Sequence, residues 1–241
     1  MKKGLFIVVD GLDGSGKSEI VKMLHNYLFS KSTRIKDSRD TSEISNFAVQ
    51  KIRRFSRTKN AKRFLVHKKY RILTTREPTS GKYGEKIRQM LKKEKDPGIS
   101  SGKLMEFFIK DRNEHLKNTI LPFLKKSGKS ELNIVLCDRY YYSTIAFQGA
   151  QGVDVQHIIA KNKPFLKPDI AFILDVEPSI ALQRIEYRKK EKFEQLEFMK
   201  KIRKNFLSLP KLLKDNIKII DANKKLEDVF DDVKKELNSL V

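Results

Sequence analysis

Eight residues near the N-terminus have the types and the spacing of a phosphate-binding loop. They are Gly11, Leu12, Asp13, Gly14, Ser15, Gly16, Lys17 and Ser18, and they match the pattern G-x-x-x-x-G-K-[ST]. In such a loop the glycines let backbone N–H groups turn toward phosphate oxygens. Lys17 can then reach the β- and γ-phosphates, and Ser18 can offer its hydroxyl to Mg²⁺. The alternative is a tight glycine turn with an accidental Lys-Ser.

Charged side chains follow two other apolar runs. Asp138 and Arg139 come directly after residues 134–137, and Arg76 follows residues 70–75. An acid in the position of Asp138 can orient Mg²⁺, and an arginine can offset charge on a transferred phosphoryl group. Each residue also has an ordinary interpretation, as a turn cap or as a solvated surface arginine.

Other chemistries have little support in the sequence. There is no Asn-Lys-x-Asp guanine-reading motif, and the four histidines (His25, His67, His115 and His157) are scattered without metal-ligand spacing, so we interpret them as ordinary surface or helix residues. The single cysteine, Cys137, cannot form an internal disulfide, which favours a reducing compartment. No apolar run reaches the length of a membrane span, so we expect a cytoplasmic protein that does not bind membranes.

The elements that would position these residues alternate along the chain. Continuous apolar runs predict strands at 4–9, 70–75, 134–137, 169–175 and 217–220. Helical spacing predicts helices after the loop, at 83–93, at 104–125 with a break near Pro122, from Ser143, at 178–208 and at 225–240. The pattern predicts one α/β domain over residues 1–241, with a five-stranded parallel sheet covered by helices on both faces.

Basic residues are in large excess, and many of them lie in one segment. The chain of 241 residues has 52 Lys and Arg against 30 Asp and Glu, a formal net charge of +22. Residues 31–69 hold 13 of the basic residues and three acids, a net +10, with no clean periodicity. We interpret 31–69 as a basic insertion; it could bind nucleic acid or be a passive solvated loop.

Taken together, the motifs resemble those of thymidylate kinases, and most closely the archaeal type of these P-loop nucleoside monophosphate kinases. The match is carried by residues 11–18, 75–79 (Thr-Arg-Glu-Pro-Thr), 107–112 (Phe-Phe-Ile-Lys-Asp-Arg) and 138–148, and is extended by 151–154 and 221–223. It covers about 4–30 and 70–235. The resemblance implies transfer of the γ-phosphate of Mg-ATP to dTMP, which yields dTDP, and a homodimer.

The resemblance also implies roles for individual residues of the acceptor site. Asp13 would hold the 3′-hydroxyl of the deoxyribose, and Arg76 would bind the dTMP phosphate. Phe108 would stack on thymine and Arg112 would contact its oxygen edge. The remaining implied pocket residues are Ser143, Phe147 and Gln148, with Phe147 crowding out a ribose 2′-hydroxyl.

On the donor side, the resemblance implies that Asp138 and Arg139 manage Mg²⁺ and phosphate; Arg139 would be a catalytic residue that also contacts dTMP. Residues Asp221, Ala222 and Asn223 would lie near the adenine. A lid at 184–195 would carry arginines, with Arg184 binding ATP. Because position 15 of the loop is Ser15 rather than a basic residue, Arg188 is the expected catalytic cation. The basic stretch could instead be a solvated helix face.

Two departures from the family pattern stand out. The 31–69 segment is longer and more basic than the usual turn, and no glycine follows Arg188 to act as a lid hinge. The sequence is also compatible with two other functions. One is a related nucleoside monophosphate kinase with another acceptor, and the other is a P-loop ATPase that binds nucleic acid through the basic insertion.

Overall fold

A computed structural model describes residues 4–33, 69–93, 100–128, 131–185 and 192–240 of the chain. Five strands form one sheet: β1 (Leu5–Gly11), β2 (Lys69–Arg76), β3 (Glu131–Asp138), β4 (Ile170–Asp175) and β5 (Ile217–Asp221). Their order is β2-β3-β1-β4-β5, and every neighbouring pair is parallel. The predicted α/β fold with a five-stranded parallel sheet is confirmed.

The central strands are buried because their sequences are continuously apolar. Phe6, Ile7, Val8 and Val9 of β1 are fully buried, as are the core residues of β3 and β4. A strand without a polar face must be covered on both sides. The helices α1 (Lys17–Thr33) and α9 (Leu226–Leu237) pack together on the sheet. The other layer is built around α5 (Tyr141–Ala150) and α8 (Lys192–Leu212).

Five further helices follow the strands or connect them. They are α2 (Lys82–Lys93), α3 (Ser101–His115), α4 (Leu121–Lys125), α6 (Val155–Asn162) and α7 (Pro178–Arg184). The α6 helix begins where Asp154 accepts hydrogen bonds from the N–H groups of Gln156 and His157, a standard N-cap arrangement.

The helix predicted over 104–125 has a wider turn in its middle. Residues Leu116–Ile120 form a π-helical turn between α3 and α4. Pro122 lies just beyond it and has no N–H to donate to the preceding turn, which is a common cause of such irregularity. The predicted break therefore lies a few residues before the proline.

The prediction of a single helix over 178–208 is wrong. Helix α7 ends at Arg184, and Ile185 has an extended backbone with φ −88° and ψ 104°. The next helix, α8, begins at Lys192. The lid predicted at 184–195 therefore includes the end of α7 and the start of α8, and its residues 186–191 lie outside the described part of the chain. No glycine or proline marks this end, so the sequence contains no local signal for it.

Most of the basic insertion, residues 34–68, lies outside the described part of the chain, but both of its ends are visible. The Tyr70 N–H donates to the Ser32 hydroxyl at 2.9 Å, so the end of α1 lies beside the start of β2. Since parallel strands share one direction, this junction lies at the amino ends of the strands, and Arg76 and Asp138 lie at the opposite, carboxyl ends. No helix among the described residues is both long and apolar enough to cross a bilayer.

Candidate active site

The loop between β1 and α1 has the conformation needed to cradle an anion. Gly11, Gly14 and Gly16 have φ values of 140°, 78° and 87°, in the region where only glycine is free of strain. At Gly14 a Cβ would stand 2.4 Å from the carbonyl oxygen of Ala181 in α7, so the loop also needs glycine for close packing. The α1 helix that follows directs its N-terminal end at the same space.

Lys17 is folded into this loop and is nearly buried. Its Nζ donates to the Leu12 carbonyl oxygen at 2.5 Å. Burial, with a smaller contribution from the nearby Arg139, lowers the pKa of Lys17 from 10.5 to about 8, against the opposing effect of Asp13 and Asp10. The ammonium group is therefore poised to gain stabilisation from an anion placed in the loop.

Asp138 and Ser18 form a pair of hard oxygen donors at the edge of the same space. The Ser18 hydroxyl donates to Asp138 Oδ2 at 2.6 Å, while Asp138 Oδ1 is buried and has no hydrogen-bond partner among the residues that the structure describes. An unsatisfied buried carboxylate oxygen beside a hydroxyl suits Mg²⁺, which takes one or two protein oxygens together with phosphates and waters. Among the described residues there is no cluster of three or more His, Cys, Asp or Glu that would indicate another metal site.

Two small cavities adjoin at the carboxyl ends of the strands. The first, of about 210 Å³, lies over the loop and is lined by Asp13, Gly14, Gly16, Lys17, Ser18, Glu19, Arg76, Asp138 and Arg139. Arg76 is paired in register with Asp138 across β2 and β3. It makes no ion pair with any residue that the structure describes, so its guanidinium is available to an anion.

The second cavity, of about 220 Å³, lies against α3 and α5. Seven of its lining residues are ones that the sequence predicted for the acceptor site: Asp13, Phe108, Arg112, Arg139, Ser143, Phe147 and Gln148. Five others were not predicted: Glu77, Pro78, Leu91, Tyr140 and Gln151. Asp13 and Arg139 line both cavities. A molecule in the second cavity would therefore reach directly into the first.

Arg139 lines both cavities, and its backbone has an unusual conformation. It is the only non-glycine residue with positive φ among the described residues, at 70°. Its guanidinium forms an ion pair with Asp13, donates to the Ser143 hydroxyl at 2.9 Å and lies 5.4 Å from the centre of the Phe147 ring. Backbone strain of this kind persists where surrounding contacts hold a functional side chain in place.

Asp10 supplies much of that support, and the sequence reasoning did not single it out. Its fully buried carboxylate accepts from the N–H groups of Gly11, Tyr140 and Ser143 and from the Ser143 hydroxyl, at 2.6–3.1 Å. Burial raises the pKa of Asp10, opposed mainly by the charge of Arg139. The carboxylate thereby ties the start of the phosphate loop to the turn that carries Arg139. An acid at the end of an apolar strand is the one signal that could have found it.

Arg112 reaches the second cavity but is fully buried and heavily engaged. Its Nε and Nη2 contact Glu77 Oε2 at 2.9 and 2.8 Å, Nη1 donates to Asn162 at 2.5 Å, and Nη2 donates to Thr144 at 3.1 Å. With five N–H donors in all, most of its capacity is satisfied by the protein. Its predicted contact with a base oxygen remains a prediction.

On the other side of the loop, the predicted donor residues lie together. Arg184 donates to the carbonyl oxygens of Ala222 and Lys224 at 2.9 and 3.4 Å. Asn223 accepts a hydrogen bond from the Glu177 N–H at 2.8 Å. Leu226 approaches within 3.6 Å of the Cβ position of Gly16, which places this segment beside the phosphate loop. Arg188 lies outside the described residues.

Comparison with known proteins agrees with this geometry. The sequence profile of the thymidylate kinase family matches residues 56–233. A protein of Archaeoglobus fulgidus named "Probable thymidylate kinase" is 37% identical over 179 residues, which cover 73% of this chain and 85% of the relative. This chain belongs to the thymidylate kinase family.

Other relatives in the thymidylate kinase family extend the similarity over nearly all of the chain. The thymidylate kinase of Caldicellulosiruptor saccharolyticus is 33% identical, with 99% of this chain and 98% of the relative covered. A "Probable thymidylate kinase" of Pyrococcus horikoshii is 30% identical, with 96% and 94% covered. The resemblance to this family, including its archaeal members, is confirmed.

The structure also corrects the interpretation of one histidine. His115 does lie in a helix, α3, but it is not a surface residue: it is nearly buried and hydrogen-bonded at both ring nitrogens. Its partners, Thr75 and Glu77, lie about 40 residues earlier in the chain. No spacing in the sequence connects these positions, because the contact exists only once β2 and α3 pack together.

Proposed function

We propose that this protein transfers the γ-phosphate of ATP to the 5′-phosphate of dTMP and releases dTDP and ADP. The observation that carries the proposal is the pair of adjoining cavities that share Asp13 and Arg139. One has the features of a polyphosphate cradle, and the other is partly apolar and large enough for a pyrimidine ring. Membership of the thymidylate kinase family supports dTMP as the acceptor.

The second cavity offers thymine both a stacking surface and a hydrogen-bond acceptor. Phe108 supplies an aromatic face at the cavity wall. Gln148 Nε2 donates to Gln151 at 3.1 Å, while Gln148 Oε1 is buried and has no partner in the described part of the chain. A buried unsatisfied oxygen is costly unless a ligand donates to it, and the N3–H of thymine is such a donor. Phe147, held beside Arg139, would border the sugar and disfavour a 2′-hydroxyl.

The reaction needs positioning and charge stabilisation rather than covalent chemistry from the protein. An oxygen of the dTMP phosphate attacks the γ-phosphorus, a new P–O bond forms, and the bond to the bridging β–γ oxygen breaks. Arg76 and Arg139 hold the acceptor phosphate in line, and Lys17 offsets charge on the β- and γ-phosphates. We propose Arg188 as a further cation that acts on the transferred group.

Magnesium fits the donors present at the loop. Ser18 and Asp138 would hold it, since Asp138 Oδ1 is a buried oxygen that no described residue satisfies. When bound, it supplies charge neutralisation for the phosphate oxygens of ATP. Asp138 also accepts a hydrogen bond from the Ser18 hydroxyl, which fixes the Ser18 side chain at the start of α1.

The proposal is tested by a panel of phosphate acceptors with Mg-ATP as donor. The purified protein is incubated with dTMP, dUMP, dCMP, dGMP or CMP, and ADP formation is followed in a coupled assay. We expect the highest kcat/KM with dTMP and little turnover with CMP, which carries a 2′-hydroxyl and lacks the N3–H. Preference for another monophosphate would indicate a related kinase. ADP formation that depends only on added nucleic acid would indicate the rival ATPase function.

A further inference from the structure

The imidazole of His115 bridges the two residues on either side of Arg76. Its Nε2 lies 2.7 Å from the Thr75 hydroxyl, and its Nδ1 lies 3.1 Å from Glu77 Oε1. His115 and Glu77 are 5% and 2% exposed, so water weakens the contact between them little, whereas the contact with the half-buried Thr75 is partly shielded. Since the carboxylate can only accept, Nδ1 donates to Glu77; Nε2 is then free to accept from the Thr75 hydroxyl.

Strand geometry makes this bridge relevant to Arg76. Successive side chains of a strand point to opposite faces, so Thr75 and Glu77 point away from Arg76. In the described part of the chain, β2 is an edge strand that pairs only with β3, and the Glu77 N–H extends this pairing to the Asp138 carbonyl oxygen at 3.0 Å. His115 therefore holds the end of β2 through two side chains that lie on one face of the sheet.

The same glutamate links this bridge to the second cavity. Glu77 Oε2 pairs with Arg112, which is one helical turn before His115 on α3. The Arg112 guanidinium also lies 5.1 Å from the centre of the Tyr140 ring, and Tyr140 follows Arg139 directly. His115, Glu77 and Arg112 thus form a buried wall between the acceptor cavity and a neighbouring cleft of about 960 Å³.

We propose that His115 is a positioning residue for the acceptor phosphate: by holding Thr75 and Glu77 it fixes the direction in which Arg76 enters the site. This inference rests on the proposed binding of the dTMP phosphate by Arg76. It does not require His115 to touch the substrate, and it predicts that loss of His115 acts on dTMP only through Arg76.

A double-mutant cycle on dTMP affinity, measured by calorimetry, tests this dependence. Arg76→Ala should weaken dTMP binding strongly. His115→Ala should weaken it about tenfold when Arg76 is present, and less than about twofold in the Arg76→Ala background. Thymidine, which has no phosphate, should bind equally well to the wild type and to His115→Ala. Thermal unfolding of each variant records the loss of stability, which should be similar in both backgrounds.

Thr75 offers a gentler pair of variants in case His115→Ala does not fold. Thr75→Val keeps the shape and β-branching but removes the hydroxyl, and Thr75→Ser keeps the hydroxyl. We expect Thr75→Val to lower dTMP affinity several-fold and Thr75→Ser to stay within about twofold of wild type. Equal affinity of these two variants would overturn the proposal.

The outcomes of the cycle separate the two hypotheses. Unchanged dTMP affinity in Arg76→Ala would refute the proposed role of Arg76 itself. Weakened binding in Arg76→Ala, together with an equal loss from His115→Ala in both backgrounds, would leave Arg76 in its role and show that His115 acts only on general stability. An equal loss of thymidine affinity in His115→Ala would show that His115 acts on the base and sugar pocket rather than through Arg76, and would overturn the proposal.

Discussion

Lys17 makes ATP binding sensitive to pH, because its pKa of about 8 lies close to neutral. At pH 8 about half of the free protein then has an uncharged Lys17, and a polyphosphate in the loop favours the charged form. We therefore expect proton uptake on ATP binding of about 0.1 per site at pH 7, about 0.5 at pH 8 and about 0.9 at pH 9. Since the bound form needs the proton, ATP affinity should fall about tenfold between pH 7 and pH 9.

Calorimetry at pH 8 in buffers with different ionisation enthalpies measures this uptake directly. Lys17→Arg is the matched control, because arginine keeps the positive charge but does not titrate in this range. The variant should bind ATP with little proton uptake and with an affinity that changes much less between pH 7 and pH 9. An uptake of the same size in both proteins would assign the titrating group elsewhere and refute the burial argument for Lys17.

Three further predictions address the acceptor pocket, the metal and the insertion. Phe108→Ala should weaken dTMP binding by roughly 1–3 kcal/mol and spare ATP, whereas Phe107→Ala, on a ring that contacts Tyr83 instead, should leave dTMP affinity nearly unchanged in calorimetry. Asp138→Asn should lower activity or apparent Mg²⁺ affinity about 10–100-fold in a metal titration; a wild-type titration curve would remove Asp138 from the metal site. Replacing residues 34–68 by a short glycine-containing turn should leave kcat within a few-fold of wild type and reduce any salt-sensitive binding to single-stranded DNA; loss of activity in a folded variant would show that the segment supports the site.

Local patterns were sufficient to predict the fold and the phosphate loop. The strands were visible because parallel strands buried on both faces have continuous apolar sequences, as in residues 134–137. The loop was visible because a polyphosphate cradle needs glycines and a Lys-Ser pair at fixed spacing. That Arg76 and Asp138 lie together could be predicted, because both follow strands whose carboxyl ends meet at the same end of the sheet.

The supporting contacts could not be predicted, because they join residues far apart in sequence. Glu77 pairs with Arg112 across 35 positions, and Asp10 reaches Tyr140 and Ser143 across about 130. Nothing in the local sequence distinguishes such acids from ordinary turn residues. The end of α7 at Arg184 was missed for a different reason: the chain leaves the helix at Ile185 without a glycine or proline.

The central claim is that the loop and the adjoining cavity together perform phosphoryl transfer to dTMP. The most direct test is to measure dTDP formation by chromatography at saturating Mg-ATP and dTMP, for wild type and for Lys17→Ala. We predict steady dTDP formation by the wild type and a loss of more than about tenfold in kcat for the variant, equivalent to at least roughly 1.4 kcal/mol of transition-state stabilisation. Absence of dTDP with the wild type, or equal turnover by the folded variant, would contradict the account.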